Sequence, residues 1–86
     1  MPPALTSAQI RAARALIRWS AEDLARHSTV SVTTIRRAEL RPDATVLTRA
    51  NDQAIRRALE RAGVEFIDVE GTGGPGVRLE TPSGKT

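Results

Sequence analysis

Between Ser20 and Leu40 the sequence SAEDLARHSTVSVTTIRRAEL carries two short helical patterns separated by only three residues, Ser28 to Val30. So tight a connection keeps the second helix in contact with the first and fixes their common core. In the first pattern Ser20 is placed to cap the amides of the following turn. Glu22 and Asp23 favour the positive end of the helix dipole, and Leu24 and Ala25 point inward. In the second, Ser31 is the expected cap. At about 100° per residue, Ile35 and Ala38 share a face with Ser31, while Thr33, Arg36, Arg37 and Leu40 cluster on the opposite one. Pro42 disfavours helical geometry at the residue before it, so this helix should stop near Leu40.

The flanking segments extend the helical reading. In LTSAQIRAARALIRW, Thr6 and Gln9 fit a capping box, Ile10, Ala13, Leu16 and Ile17 are spaced to face inward, and Arg11, Arg14 and Arg18 take the wetter sides. A last amphipathic helix is expected from Leu47 to Ala62, with Gly63 as a left-handed stop. Asp43, Thr45, Thr48 and Asn51 are equivalent candidates for its cap. VEFIDV, Val64 to Val69, reads as a strand of weak alternation, GTGGPG as a turn and VRLE as the returning strand. The expected fold is mainly α, a bundle of four to five helices closed by a C-terminal β-hairpin over residues 64–80. Residues 1–80 form one domain on this reading, and residues 81–86 a frayed tail.

The chain has 86 residues, no cysteine and one histidine, so neither disulfides nor a thiolate or His-rich metal site can supplement a small core. No cofactor and no enzyme activity are expected. No run approaches the roughly 18 apolar residues of a spanning helix, and the N-terminus lacks a basic segment followed by an apolar one, so a cytoplasmic location off the membrane is expected. The net charge of +3 is uneven. Residues 1–62 hold eleven arginines against six acids, whereas residues 63–86 hold one Arg and one Lys against four. Twelve of the thirteen cationic residues are arginine, the side chain best suited to a bidentate grip on phosphate or a guanine edge.

Two short helices joined by a tight turn, the second displaying cations and hydroxyls, form the arrangement in which one helix enters the DNA major groove while its partner crosses the backbone. The stretch ALIRWSAEDLARHSTVSVTTIRRAE resembles the helix-turn-helix of the Cro and lambda-repressor type, the xenobiotic-response-element family of bacterial regulators. Leu24 and Ala25 match the inner pair of its first motif helix. Val30, Ser31, Thr34, Ile35 and Glu39 match its V-S-x-x-T-I-x-x-x-E pattern, and AIRRALERAGVEFI is similar to the end of the small regulators of this class. The similarity covers roughly residues 5 to 80. It implies a transcriptional regulator that binds double-stranded DNA, with Val32, Thr33, Arg36 and Arg37 facing bases and Ser31 and Thr34 near the backbone. Periodicity independently exposes Thr33, Arg36 and Arg37, and puts Val32 only at the boundary. Ala21 stands where the family often has Gln. Thr29 replaces the usual turn glycine, so it must either adopt left-handed geometry or shift the turn. LRPDATVLTRAND departs from the customary loop.

A single helix-turn-helix reads few base pairs, so a two-fold homodimer on inverted half-sites is expected. The hairpin is the expected contact, with Val64, Phe66, Ile67 and Val69 at the interface. The alternative is a protein-interaction module, antiactivator-like or antitoxin-like, that keeps the fold without binding DNA; a protein co-regulator is a related possibility. Trp19 reads as a core plug, His27 as a partner of the helix dipole rather than a catalytic group, and GTGGPG as a turn rather than a phosphate loop.

Overall fold

The computed structural model describes residues 4–40, 47–68 and 73–80. Its elements run α1 (Ser7–Ile17), α2 (Ala21–Ser28), α3 (Val32–Leu40), α4 (Arg49–Arg61), β1 (Val64–Ile67) and β2 (Gly76–Leu79). The architecture is mainly α: four helices followed by an antiparallel two-stranded hairpin. The segment around Pro42, the cap candidates Asp43 and Thr45, the strand end at Val69 and the tail 81–86 lie outside the described residues.

Each helix starts where a side chain can satisfy its free amides. Thr6 and Gln9 form a reciprocal capping box at α1, with both hydrogen bonds at 3.0 Å. Leu5, just ahead of the cap, is buried with Ile10 one turn into the helix, the positions of a hydrophobic staple. At α4 the cap is Thr48, whose Oγ1 accepts from the Asn51 amide at 3.1 Å. Gly63 follows the last turn at φ +103°, and its carbonyl accepts from the Glu80 amide, leading the chain directly into the hairpin.

The core is small and continuous: Leu5, Ile10, Ala13, Leu24, Val30, Ile35, Ala38, Ile55, Leu59 and Val64 draw on all four helices and β1. α2 packs on α3 and α4, α1 on α3 and both strands, and α4 on β1. Leu16 differs from its expected place, being 39% exposed. It shares a helix face with Gln9, seven residues earlier. There the hairpin covers the helix, and Gln9 Nε2 donates to the carbonyls of Ile67 and Gly76. About 10 Å further along the axis, at Leu16, that flank is open.

The hairpin pairs Val64 with Leu79, Glu65 with Arg78, Phe66 with Val77 and Ile67 with Gly76. Val64, Phe66 and Val77 pack inward on the helices. The opposite face carries the Glu65–Arg78 ion pair, at 3.0 Å, and Ile67. The weak alternation of VEFI is thus resolved with Ile67 outside. A buried hydrogen bond from the Leu5 amide to Asp52 Oδ1, 2.8 Å, ties the N-terminal segment to α4.

Candidate nucleic-acid interface

The α2–α3 unit is built by local chemistry. At the start of α2, Ser20 and Asp23 exchange two hydrogen bonds of 2.9 Å. The helix closes on Thr29, which adopts the left-handed conformation (φ 61°, ψ 17°) and donates its amide to the Ala25 carbonyl at 2.8 Å. Of the two outcomes open at this position, the chain takes left-handed geometry. The connection is then locked by two serines. The buried Ser28 hydroxyl accepts from the Val30 amide, and Ser31 Oγ accepts from the Thr34 amide at 3.1 Å, capping α3. Val30 enters the core, and α3 has to follow it.

Ile35 and Ala38 are fully buried, so α3 is held by one face. A third anchor is Glu39, almost buried, whose carboxylate takes a bidentate grip from Arg14 at 2.7 and 2.8 Å. Arg14 also donates to the Trp19 carbonyl, and Arg11 donates to the Glu39 carbonyl near the end of α3. The charge-assisted contact with Glu39 raises the Arg14 pKa against the opposing effect of burial. Helix α3 cannot rotate about its axis without breaking this pair.

The face left over presents Thr33, Arg36, Arg37 and Leu40 to solvent, and Ser31, which periodicity put on the packed side, is exposed because it caps the helix from outside its first turn. Thr34 is half-buried, its hydroxyl accepting from Ser31 at 2.8 Å. Val32 is half-buried against the core, at the boundary where periodicity put it. Arg37 has no hydrogen-bond or ion-pair partner among the described residues. Arg36 donates through Nη2 to Glu22 at the start of α2. The Glu22 carboxyl sits below its ordinary value because its own backbone amide and the Arg36 guanidinium both stabilise the anion. In the sequence Glu22 reads only as a dipole partner, because nothing local relates residues fourteen apart across a turn.

On the other side of α2, the Trp19 and His27 rings stack, with centroids 4.3 Å apart and planes 11° from parallel. They line a half-open cavity of about 180 Å³ with Ala58, Arg61 and Ala62, small beside the ~300–1,000 Å³ of ordinary ligand pockets. Trp19, expected to plug the core, is half-buried and packs against the core from its margin, with its ring stacked on the exposed His27. No group of three His, Cys, Asp or Glu among the described residues is arranged to hold a metal ion. No helix among them is long and apolar enough to cross a membrane.

The hairpin residues expected at a dimer contact are not equivalent. Val64 is 3% exposed, inside its own chain's core, and has no surface to offer a second copy. Phe66 faces inward with the Arg56 guanidinium 5.0 Å above its ring. Ile67 lies on the outer face, and Leu79 is half exposed. Among the described residues each strand has the other as its only strand partner, so both outer edges are unpaired.

A scan against protein-family models gives no match for this chain. Comparison with curated protein sequences gives none either.

Proposed function

We propose that this chain is a sequence-specific double-stranded DNA-binding regulator of transcription that reads the major groove with α3 and acts as a two-fold dimer in the cytoplasm. One observation carries the reading: α3 is fixed against rotation by Ile35, Ala38 and the Arg14–Glu39 pair, so that Thr33, Arg36 and Arg37 project together from a tight helix pair. A groove about 12 Å wide accepts such a helix. There Arg37 and Arg36 face guanine edges, Thr33 and Val32 meet neighbouring bases, and the Ser31 and Thr34 end lies near the phosphate backbone. The dimer forms through the unpaired hairpin edges, with Ile67 beside the contact on the outer face of β1, a surface that leaves α3 free.

The test is an electrophoretic shift with the DNA upstream of the protein's own gene. We expect a discrete complex that Arg37→Ala weakens by about 1–3 kcal/mol without changing thermal unfolding. A complex of unaltered affinity in both Arg36→Ala and Arg37→Ala removes this face from the interface. A second reading, a protein-interaction module, is favoured by one feature: Leu40, 81% exposed, puts an apolar side chain among the cations of α3. Salt separates the two. Binding to DNA weakens steeply as counterions compete, whereas an apolar protein contact centred on Leu40 responds far less.

A further inference from the structure

Among the described residues, the exposed face of α3 has one carboxylate partner from another helix. Glu22, the second residue of α2, reaches across the turn to accept a hydrogen bond from Arg36 Nη2. Its own backbone amide stabilises the carboxylate anion, and Arg14, itself paired with Glu39, adds a further attraction. Both Glu22 and Arg36 are more than half exposed, so the pair adds little to folding. Its consequence lies in what it does to Arg36. A guanidinium has five N–H donors, and this contact engages one nitrogen of three. The charge is neutralised while donors for a planar two-pronged contact stay open. Arg37, one residue on, carries no such partner among the described residues.

We propose that Glu22 is a specificity-determining residue, which acts by positioning Arg36 and cancelling its charge so that Arg36 reads a base edge instead of gripping phosphate. Random DNA offers Arg36 mainly phosphate oxygens, and trading the Glu22 carboxylate for a phosphate gains nothing while leaving Glu22 uncompensated beside the backbone. A guanine offers O6 and N7 to the open side of the fork, and the Glu22 contact can persist. Glu22 thus lowers affinity for wrong sequences more than for the right one, a specificity obtained by penalising the alternative. This inference rests on the reading of α3 as the base-contacting helix.

The experiment measures wild type, Glu22→Gln, Arg36→Ala and the double variant against two probes, a random-sequence duplex and a duplex enriched by the wild-type protein from a randomised pool. Fluorescence anisotropy is recorded at 50 and 200 mM salt. Freeing one cation for phosphate adds about 0.9 to the salt exponent, so the loss of random-duplex affinity between these salts should be about threefold larger for Glu22→Gln than for wild type. The ratio of enriched to random affinity should fall about tenfold in Glu22→Gln and in Arg36→Ala, and no further in the double variant. An unchanged ratio in Glu22→Gln overturns the proposal, as does an equal effect of Glu22→Gln in the Arg36→Ala background, which would reduce Glu22 to a bulk charge. An unchanged ratio in Arg36→Ala overturns it while leaving Arg37 as the base reader. Failure of all four proteins to bind either duplex overturns the DNA-binding reading itself, and this inference with it.

Discussion

Thr29 closes α2 in a left-handed conformation that β-branched residues rarely adopt, and replacing it with glycine should stabilise the protein. The left-handed region costs an L-residue about 1–2 kcal/mol, and glycine removes that cost because it has no Cβ. Against this stands the greater freedom of glycine in the unfolded chain, about 0.5–1 kcal/mol. The structural contacts change little. The Thr29 amide keeps its bond to the Ala25 carbonyl, and the lost hydroxyl contact, to the Ser28 carbonyl, belongs to an exposed residue. The difference spans about 0–1.5 kcal/mol, and its middle value of about 0.8 raises the melting temperature of a domain of this size by roughly 3–6 °C. Thr29→Ala is the control: it keeps a Cβ, hence the strain, and should gain nothing comparable. Thermal unfolding followed by circular dichroism of the three proteins decides the matter. Equal melting temperatures for Thr29→Gly and Thr29→Ala, or a loss in both, would refute the strain assigned to this turn.

Ile35→Ala should cost about 2–5 kcal/mol in chemical denaturation, because Ile35 is fully buried where α3 meets the core; a loss under half a kilocalorie would contradict the observed rotation of α3. Asp52→Ala leaves the buried Leu5 amide without its acceptor and should cost about 1–3 kcal/mol, with Asp52→Asn recovering part of it. Ile67→Asp should shift the mass in solution from dimer to monomer with little change in unfolding; truncation after Gly63 is the poorer test, since it also strips Val64, Phe66 and Val77 from the core. The carboxyl of Asp23, held low by the Ser20 amide and by Arg26, adds stability that is complete above its unfolded pKa, with only small additions from the exposed Glu22–Arg36 and Glu65–Arg78 pairs. That stability is lost as pH falls through the lower folded values. Melting temperature should therefore hold from pH 7 to about 5 and fall below about pH 4, less steeply in Asp23→Asn, and a rise on acidification would contradict the assignment.

What could be read from the sequence was local. Thr6 with Gln9, Ser20 with its following turn and Ser31 cap their helices through bonds spanning three residues, and those spacings are visible in one dimension. The burial of Ile35 and Ala38 opposite the arginines follows from helical periodicity in the same way. Where several residues satisfy the same local rule, tertiary structure decides. Thr48 caps α4 although Asn51 has equivalent chemistry, and the hairpin covers Gln9 but not Leu16 on one helix face. Contacts across long sequence separations gave no signal at all. Leu5 with Asp52, Gln9 with the hairpin carbonyls and Arg36 with Glu22 join polar groups 47, 58 and 14 residues apart. The last of these changes the candidate interface most, because it divides two adjacent arginines into one that is paired and one without a partner among the described residues.

Whether α3 reads DNA as one half of a two-fold pair is decided by repeated selection of a randomised duplex pool on the full chain, followed by sequencing. Two inverted half-sites about 10–10.5 base pairs apart, or a multiple of that spacing, should be enriched, with the most constrained positions relaxed in Arg37→Ala. A pool that stays random through successive rounds, at salt low enough to keep non-specific complexes intact, would contradict that role of α3.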